Sequence, residues 1–248
     1  SAGKNKCIAI LNLGKIEKGK KNLIVFLHGD GSPNSPRPGI PKKSQIRFAK
    51  ELINDNNNIF LFARPGYFIR ERGSSEEDRY SSGPRNAIKS TVVNYDWKNF
   101  QILAPALQNL KKYYKPKKLI LIGHSGGAYQ GGTIHGKVPG LVDINILISC
   151  PCDWEIRKKL SNGKKWETKS QLKELKKNSP SFNYKDIDLK SLNILIVGKD
   201  DKNTAPGVSK YYYDLLKKKK LQVKLHIIDG GHGLRSMPTI GSIIKEYI

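Results

Sequence analysis

The stretch "LIGHSGGA" at residues 121–128 decides how the rest of the chain is interpreted. An apolar run ends at Gly123, Ser125 follows two positions later, and Gly126 and Gly127 come directly after the serine. Glycine is favoured where the backbone is strained or closely packed, because it has no Cβ atom. Strained backbone is in turn concentrated at functional sites. The stretch therefore predicts a sharp turn from a buried strand into a helix, with a serine at its tip.

The bulk composition is that of one folded domain with a basic surface. The 248 residues are 38% hydrophobic and 27% charged, which suits a single domain over residues 1–248. The net charge is +24, but only nine of the 45 basic residues are arginine. Base readout and bidentate phosphate contacts favour arginine, so we interpret the scattered lysines as a solvated surface and predict no specific nucleic-acid partner.

The sequence also limits the expected location of the protein. No apolar run approaches the roughly 20 residues of a membrane helix, so we predict no membrane span. No secretory signal is visible, and the chain begins at Ser1. We expect a soluble protein that is cytoplasmic, or periplasmic or secreted after removal of a signal. The oligomeric state is left open.

The chain has three cysteines, Cys7, Cys150 and Cys152, and their spacing makes no zinc site. Our main expectation is buried free thiols. A disulfide between Cys7 and one of the other two is the alternative in an oxidising compartment. No metal and no cofactor are predicted.

Short apolar runs alternate with helical patterns along the chain. This alternation predicts an α/β fold, with a mostly parallel twisted sheet covered by helices on both faces. Residues 64–92 are interpreted as a long loop, and residues 153–190 as a small lid or a long crossover. The expected strands are 7–13, 23–28, 59–63, 118–123, 144–150, 193–198 and 223–228, and the expected helices are 43–54, 95–114, 206–219, one after Ser125 and one at the end of the chain.

The pattern from Gly123 to Gly127 is G-x-S-x-G between a strand and a helix, which is typical of a nucleophile elbow. Such a serine needs a histidine base and an acid that orients the base, in the chain order serine, acid, histidine. His232 lies in the stretch "DGGHG" after the last predicted strand and is our candidate base. The remaining histidines are interpreted as structural: His28, His124, His135 and His226.

The acid is expected in the loop after the strand "NILIVG". Asp201 stands three residues after Gly198 and is the first candidate. Asp200 is the second, and Asp153 is a distant third. The carboxyl ends of parallel strands lie at one edge of a sheet, so all three triad positions are expected there.

An oxyanion hole needs a donor from an earlier loop as well as one from the elbow. The stretch "HGDG" at residues 28–31 supplies the first, so we assign the backbone N–H groups of Asp30 and Gly126. The alternative is that "HGDG" is only a tight turn. Arg64, Tyr67 and Trp154 follow strands and are predicted to contact substrate. Arg64, Arg70 or Arg72 are candidates to bind an anionic group of the substrate, but ion pairs within the long loop are the favoured interpretation of these arginines.

The motifs "HGDGS", "ARPGY", "GHSGGA", "PGLVD", "SCPCDW" and "GGHG" together resemble the α/β-hydrolase family, over nearly the whole chain. More narrowly they look like bacterial hydrolases related to the dienelactone hydrolase and prolyl oligopeptidase branches. The resemblance implies the α/β-hydrolase fold with little or no cap, and a serine hydrolase mechanism. A dienelactone hydrolase would carry a cysteine where this chain has Ser125, which argues against that activity.

These observations predict an esterase that acts on a small-molecule carboxylic ester through Ser125, His232 and Asp201. A serine peptidase or amidase like those of the prolyl oligopeptidase branch is the alternative. A catalytically silent binding protein of the same fold is the non-enzymatic alternative.

Overall fold

The computed structural model describes residues 6–19, 21–30, 39–40, 43–69, 79–80, 95–160, 168–233 and 238–248. Seven strands form one sheet: β1 (Ile10–Leu13), β2 (Asn22–Leu27), β4 (Asn57–Phe62), β7 (Leu119–His124), β8 (Ile144–Ile148), β9 (Leu192–Gly198) and β10 (Gln222–Ile228). Three two-residue strands form a second sheet: β3 (Gly39–Ile40), β5 (Phe68–Ile69) and β6 (Arg79–Tyr80).

The order across the large sheet is β1-β4-β2-β7-β8-β9-β10. Every neighbouring pair from β4 to β10 is parallel, and only β1 runs antiparallel to its neighbour β4. The parallel strands are continuously apolar because both of their faces are buried. The strand that precedes Ser125 lies in the middle of this sheet, next to β2 and β8.

Helices lie along the chain between the strands, as the alternating pattern predicts. Their bounds are α1 (Lys43–Lys50), α2 (Trp97–Tyr114), α3 (Gly126–Lys137), α4 (Trp154–Leu160), α5 (Lys169–Lys177), α6 (Pro180–Asn183), a 3-10 turn (Tyr184–Asp186), α7 (Pro206–Lys218) and α8 (Pro238–Lys245).

Two hydrophobic cores show that the helices cover both faces of the sheet. Leu23 and Val25 of β2 belong to the same buried cluster as Phe100 of α2. Their neighbours Ile24 and Phe26 point the opposite way, because side chains alternate along a strand, and they join a cluster with α1 and α8. The α/β fold predicted from the sequence is confirmed.

Some predicted bounds differ from the observed ones. The first strand begins at Ile10 rather than at residue 7, and α1 ends at Lys50 rather than at residue 54. The chain turns after α1 because an asparagine-rich segment follows, in which the side chain of Asn54 accepts a hydrogen bond from the N–H of Asn56. The predicted loop at 64–92 contains β5 and β6, while its residues 70–78 and 81–94 lie outside the described ranges.

The segment 153–190 holds α4, α5, α6 and the 3-10 turn, with residues 161–167 outside the described part. Tyr129 of α3 donates a hydrogen bond to the carbonyl of Leu175, and Thr133 donates to the carbonyl of Asn178. These bonds attach the segment to the helix that follows Ser125. Whether it acts as a lid stays a prediction.

Cys150 and Cys152 form a disulfide directly after β8, so the prediction of free thiols is wrong for these two residues. They are fully buried, as expected. Their Cα atoms lie 5.1 Å apart, within the range that a disulfide spans. Cys7 is exposed, so the expectation that it is buried is wrong, and its alternative pairing is wrong as well because Cys150 and Cys152 pair with each other.

Within the residues that the structure describes, no helix combines the length and the apolar character that crossing a membrane requires.

Candidate active site

Ser125 occupies a strained turn between β7 and α3, with φ +52° and ψ −118°. The turn is held from behind, since the backbone N–H of Ser125 donates to the carbonyl of Ile148 at 2.8 Å. The flanking glycines are required by space: a Cβ on Gly123 would lie 2.5 Å from the Cα of Ala128, and one on Gly127 would lie 2.2 Å from the carbonyl oxygen of Leu27. The sequence "GHSGG" is thus explained by close packing of the elbow against two neighbouring segments.

The structure brings Ser125, His232 and Asp201 into one hydrogen-bonded row. The Oγ of Ser125 lies 2.9 Å from Nε2 of His232, and Nδ1 of His232 lies 2.9 Å from Oδ2 of Asp201. The residues come from the ends of β7, β10 and β9, at the carboxyl edge of the sheet. This geometry is the one that acyl transfer by a serine needs.

The surroundings of Asp201 stabilise its ionised form. Burial alone raises its pKa, but hydrogen bonding and the charge of His232 act in the opposite direction and lower the pKa of Asp201 to about 2. The N–H and hydroxyl of Thr204 donate to the two carboxylate oxygens at 2.9 and 2.7 Å. An ionised Asp201 accepts a hydrogen bond from the N–H at Nδ1, which leaves the lone pair of Nε2 free to accept a hydrogen bond from the hydroxyl of Ser125.

The other two candidate acids are placed differently. Asp200 is exposed to solvent. Asp153 begins α4, where its carboxylate accepts the N–H of Ile156 at 2.9 Å and the hydroxyl of Ser181 at 2.6 Å. The geometry therefore favours Asp201 as the partner of His232.

The loops that carry the acid and the base are tied to each other by their backbones. The N–H of Lys199 donates to Ile228 and the N–H of Asp200 donates to Gly230. A Cβ on Gly198 would lie 2.1 Å from the carbonyl oxygen of Gly230, so the two loops touch closely. This contact fixes the distance between Asp201 and His232.

His124, the residue before the serine, has a positioning contact that the sequence analysis missed. Its Nε2 lies 2.9 Å from the backbone carbonyl of His232, so it holds the base-bearing loop against the elbow. Two other histidines have the structural roles expected of them: burial lowers the pKa of His135 to about 4, with Nε2 3.1 Å from the hydroxyl of Ser191, and His226 contacts Tyr247.

A second polar group lies beside the elbow, next to Gly126. The carboxylate of Asp30 accepts hydrogen bonds from Nη2 of Arg64 and from the hydroxyl of Tyr95. It also lies close to Gly126, because a Cβ there would be 2.6 Å from Oδ1 of Asp30 and 2.5 Å from the hydroxyl of Tyr95. These contacts hold the loop after β2 beside the first helical N–H groups of α3. Nothing in the local sequence around Tyr95 indicated this contact.

Arg64 and Tyr67, two of the three residues predicted to bind substrate, are only 1% exposed. Burial lowers the pKa of Arg64, but the charge of Asp30, its hydrogen bond and the nearby Tyr67 and Tyr95 together outweigh burial and raise that pKa above its usual value. Burial and the charge of Asp30 likewise raise the pKa of Tyr95. Among the described residues, the counter-charge of Arg64 is Asp30 in the loop after β2, and not an acidic residue of its own long loop.

Trp154, the third of these residues, is 4% exposed. Its ring packs 5.7 Å from Tyr95 and 6.1 Å from Tyr129, in the core beneath α3. In this structure the three side chains present almost no surface to a ligand. Substrate contact by Arg64, Tyr67 or Trp154 stays a prediction that their burial does not support.

Asn203 touches the candidate base and was not found from the sequence. Its Nδ2 lies 3.1 Å from Nε2 of His232, the nitrogen that also faces Ser125. Its position two residues after the acid was the only available signal.

In the described ranges, no group of three or more histidine, cysteine, aspartate or glutamate residues is placed to hold a metal ion.

A row of serine, histidine and aspartate at the carboxyl edge of a mostly parallel sheet is the arrangement of the α/β-hydrolase fold. The model of the prolyl oligopeptidase family matches residues 55–245, so the chain belongs to that family. Among curated proteins, no relative matches the chain.

Solved structures with similar folds include both peptidases and esterases. An acylaminoacyl peptidase of Pyrococcus horikoshii has a TM-score of 0.67 and 17% identity, over 98% of this chain and 41% of that one. Est1E of Butyrivibrio proteoclasticus, solved with ferulic acid, has a TM-score of 0.67 and 12% identity, over 97% and 93% of the two chains. An esterase of Pyrococcus furiosus has a TM-score of 0.58 and 21% identity, over 92% and 83%. The chain thus spans less than half the length of that acylaminoacyl peptidase.

Proposed function

We propose that this protein hydrolyses carboxylic esters through an acyl-enzyme on Ser125, with His232 as the base and Asp201 as the acid that orients it. The observation that carries the proposal is the 2.9 Å distance between Oγ of Ser125 and Nε2 of His232. An ionised Asp201 on the other ring nitrogen gives the imidazole the tautomer that a general base needs.

In the first step Oγ of Ser125 attacks the ester carbonyl while Nε2 of His232 takes the hydroxyl proton. The tetrahedral intermediate collapses, the bond to the alcohol oxygen breaks, and Nε2 returns the proton to that oxygen. In the second step water gives a proton to His232 and attacks the acyl group, and the acid leaves as Ser125 recovers its proton. Every proton moves between Ser125, His232, the substrate and water.

The developing oxyanion is assigned to the backbone N–H groups of Asp30 and Gly126. Gly126 is the first residue of α3, so its N–H lies in the first turn of that helix, where the helix dipole also favours negative charge. The bonds from Arg64 and Tyr95 to the side chain of Asp30 support this assignment, because they fix the loop that carries the second donor.

Peptide or amide hydrolysis is the second candidate. It is favoured by membership of the prolyl oligopeptidase family and by the fold similarity to an acylaminoacyl peptidase. We place ester hydrolysis first because the side chain of His232 is 27% exposed, which fits an open site. Amide hydrolysis additionally demands tight placement of an amine leaving group, for which the described part of the site offers no dedicated pair of charges.

The test is intact-mass labelling of the parent and of Ser125→Ala with a fluorophosphonate, followed by a panel of esters and peptides. We expect one adduct on the parent and none on the variant, and a loss of ester turnover of about 10⁶-fold in the variant. A folded parent that forms no adduct would contradict the proposal and favour a catalytically silent binding protein. Turnover of peptides but not of esters would favour the second candidate.

A further inference from the structure

The side chain of Asn203 stands beside the atom that handles the proton in the proposed reaction. Its Nδ2 is 3.1 Å from Nε2 of His232, and Oγ of Ser125 is 2.9 Å from the same nitrogen. Asn203 is exposed, so its amide borders the open side of the site. Two donors therefore face a single imidazole lone pair.

The orientation of this amide is fixed by Arg157. The guanidinium of Arg157 donates from Nη2 to Oδ1 of Asn203 and from Nε to its backbone carbonyl at 2.9 Å. Because an arginine can only donate, the oxygen of the amide must face Arg157 and the NH₂ group must face His232. Arg157 is in turn packed over the ring of Trp154, at 4.4 Å from its centroid.

The backbone of Asn203 is anchored as well. Its N–H donates to Oδ1 of Asp201 at 2.9 Å. Asn203 is thus attached through its backbone N–H to the acid of the triad and through its side chain to Arg157 of α4. It is a positioned donor and not a loose surface side chain.

Proton transfer removes the partner of this donor. Once Nε2 of His232 carries the proton from Ser125, it can no longer accept a hydrogen bond, and it faces the NH₂ group of Asn203 with an N–H of its own. The amide then lacks an acceptor at the stage where the transition state forms. An oxygen atom on the substrate could supply one.

The location of that oxygen follows from the mechanism. Nε2 returns its proton to the alcohol oxygen of the ester, so the leaving group must lie within hydrogen-bond distance of Nε2. Asn203 borders the same space. We propose that Asn203, held by Arg157, is a specificity-determining residue that selects esters whose alcohol carries an oxygen acceptor near the scissile bond.

This inference rests on the proposed function, and it deepens it. The bond from Asn203 to the leaving group is made as the proton moves to His232, so it stabilises the transition state more than the ground state. Loss of this bond should therefore lower kcat/KM for the acylation step, and not only weaken substrate binding.

The experiment compares two acetate esters that share shape and acyl group: 2-methoxyethyl acetate, which has an ether oxygen in the alcohol, and n-butyl acetate, which has a methylene there. The ratio of kcat/KM for the two is measured in the parent, in Asn203→Ala and in Asn203→Asp, which keeps the volume but cannot donate. Dividing the parent ratio by each variant ratio cancels the intrinsic reactivity of the esters.

We expect the preference for the methoxyethyl ester to fall about five-fold in both variants, the size of one neutral hydrogen bond. Arg157→Lys keeps the charge but not the two-point hold on Asn203, and its ratio should lie between those of the parent and Asn203→Ala. The control is Lys202→Ala, an exposed neighbour in the same turn, whose ratio should equal that of the parent.

An unchanged ratio in Asn203→Ala and Asn203→Asp would overturn the inference while leaving the proposed function standing. A parent that labels with fluorophosphonate but prefers the butyl ester, with no effect of Asn203→Ala, would overturn it in the same way. A parent that neither labels nor turns over either ester would instead remove the proposed function on which the inference rests.

Discussion

The candidate site has two sides that each carry one carboxylate, and they differ in what stabilises it. On the acid–base side, formed by Asp201 and His232, the partner of the carboxylate is a ring that gains and loses a proton. On the oxyanion side, formed by Asp30, Arg64 and Tyr95, the partners are a guanidinium and a phenol hydroxyl. Arginine keeps its charge at any ordinary pH.

This difference indicates that the two carboxylates have different roles. In the proposed mechanism the acid–base side changes protonation during turnover, and its carboxylate is bound to the group that changes. The proposed role of the oxyanion side is to hold backbone donors still, and its carboxylate is bound to a charge that is 1% exposed and does not titrate. Removing the carboxylate should therefore mainly cost activity on the first side and mainly cost stability on the second.

The largest expected effect is on the acid–base side. Asp201→Asn should lower kcat by about 10⁴-fold, because an amide favours the wrong tautomer of His232 while leaving the geometry in place. The matched control is Asp200→Asn, one residue away and exposed, which should stay close to the parent. A larger loss in the control than in Asp201→Asn would show that the acid has been assigned to the wrong carboxylate.

The next effect is on the stability of the oxyanion side. Asp30→Asn leaves the charge of Arg64 buried without a counter-charge, and we expect it to lower the free energy of unfolding by about 3 kcal/mol. Urea unfolding measures this, and Asp214→Asn is the control, since Lys210 and Asp214 form an exposed pair whose loss should cost at most about 0.5 kcal/mol. Equal losses of unfolding free energy in Asp30→Asn and Asp214→Asn would contradict the stabilising role assigned to Asp30.

The smallest effect is the pH dependence of stability on the acid–base side. The pKa of Asp201 is lowered from 3.8 to about 2, so its ionised form stabilises the fold above pH 3.8 and this contribution is lost as the pH falls towards 2. The contribution at neutral pH is about 2 kcal/mol. The difference in unfolding free energy between the parent and Asp201→Asn should therefore shrink between pH 5 and pH 2. A constant difference over that range would argue against the lowered pKa.

Much of the fold could be predicted from the sequence because the information is local. Runs such as "LIVFL" and "LILIG" are buried on both faces. Such continuously apolar runs indicate strands without any knowledge of the neighbouring segments. Ser125, Asp201 and His232 each follow such a run, and parallel strands place their ends together. Their meeting could therefore be inferred without knowing any contact, while their catalytic roles stay a proposal.

The remaining parts of the site depend on contacts between distant segments. Tyr95 and Asp30 are 65 residues apart, and Arg64 and Asp30 are 34 apart. An arginine after a strand looks the same in sequence whether it points into a cleft or into the core. The disulfide between Cys150 and Cys152 was missed for another reason: a bridge across a single residue needs the two Cα atoms close together, here 5.1 Å apart, and the spacing in the sequence does not give that distance.

The contact between the acid-bearing and base-bearing loops has a consequence for motion. The N–H of Asp200 bonds to Gly230 in the loop of His232, and the N–H of Lys199 bonds to Ile228 at the end of β10, so these bonds oppose the separation of the two loops. The two loops should therefore open locally as one cooperative unit, so that a molecule that loses the position of its base also loses that of its acid. Amide hydrogen exchange at Lys199 and Asp200 then reports the fraction of molecules in which the whole acid–base side is transiently disassembled.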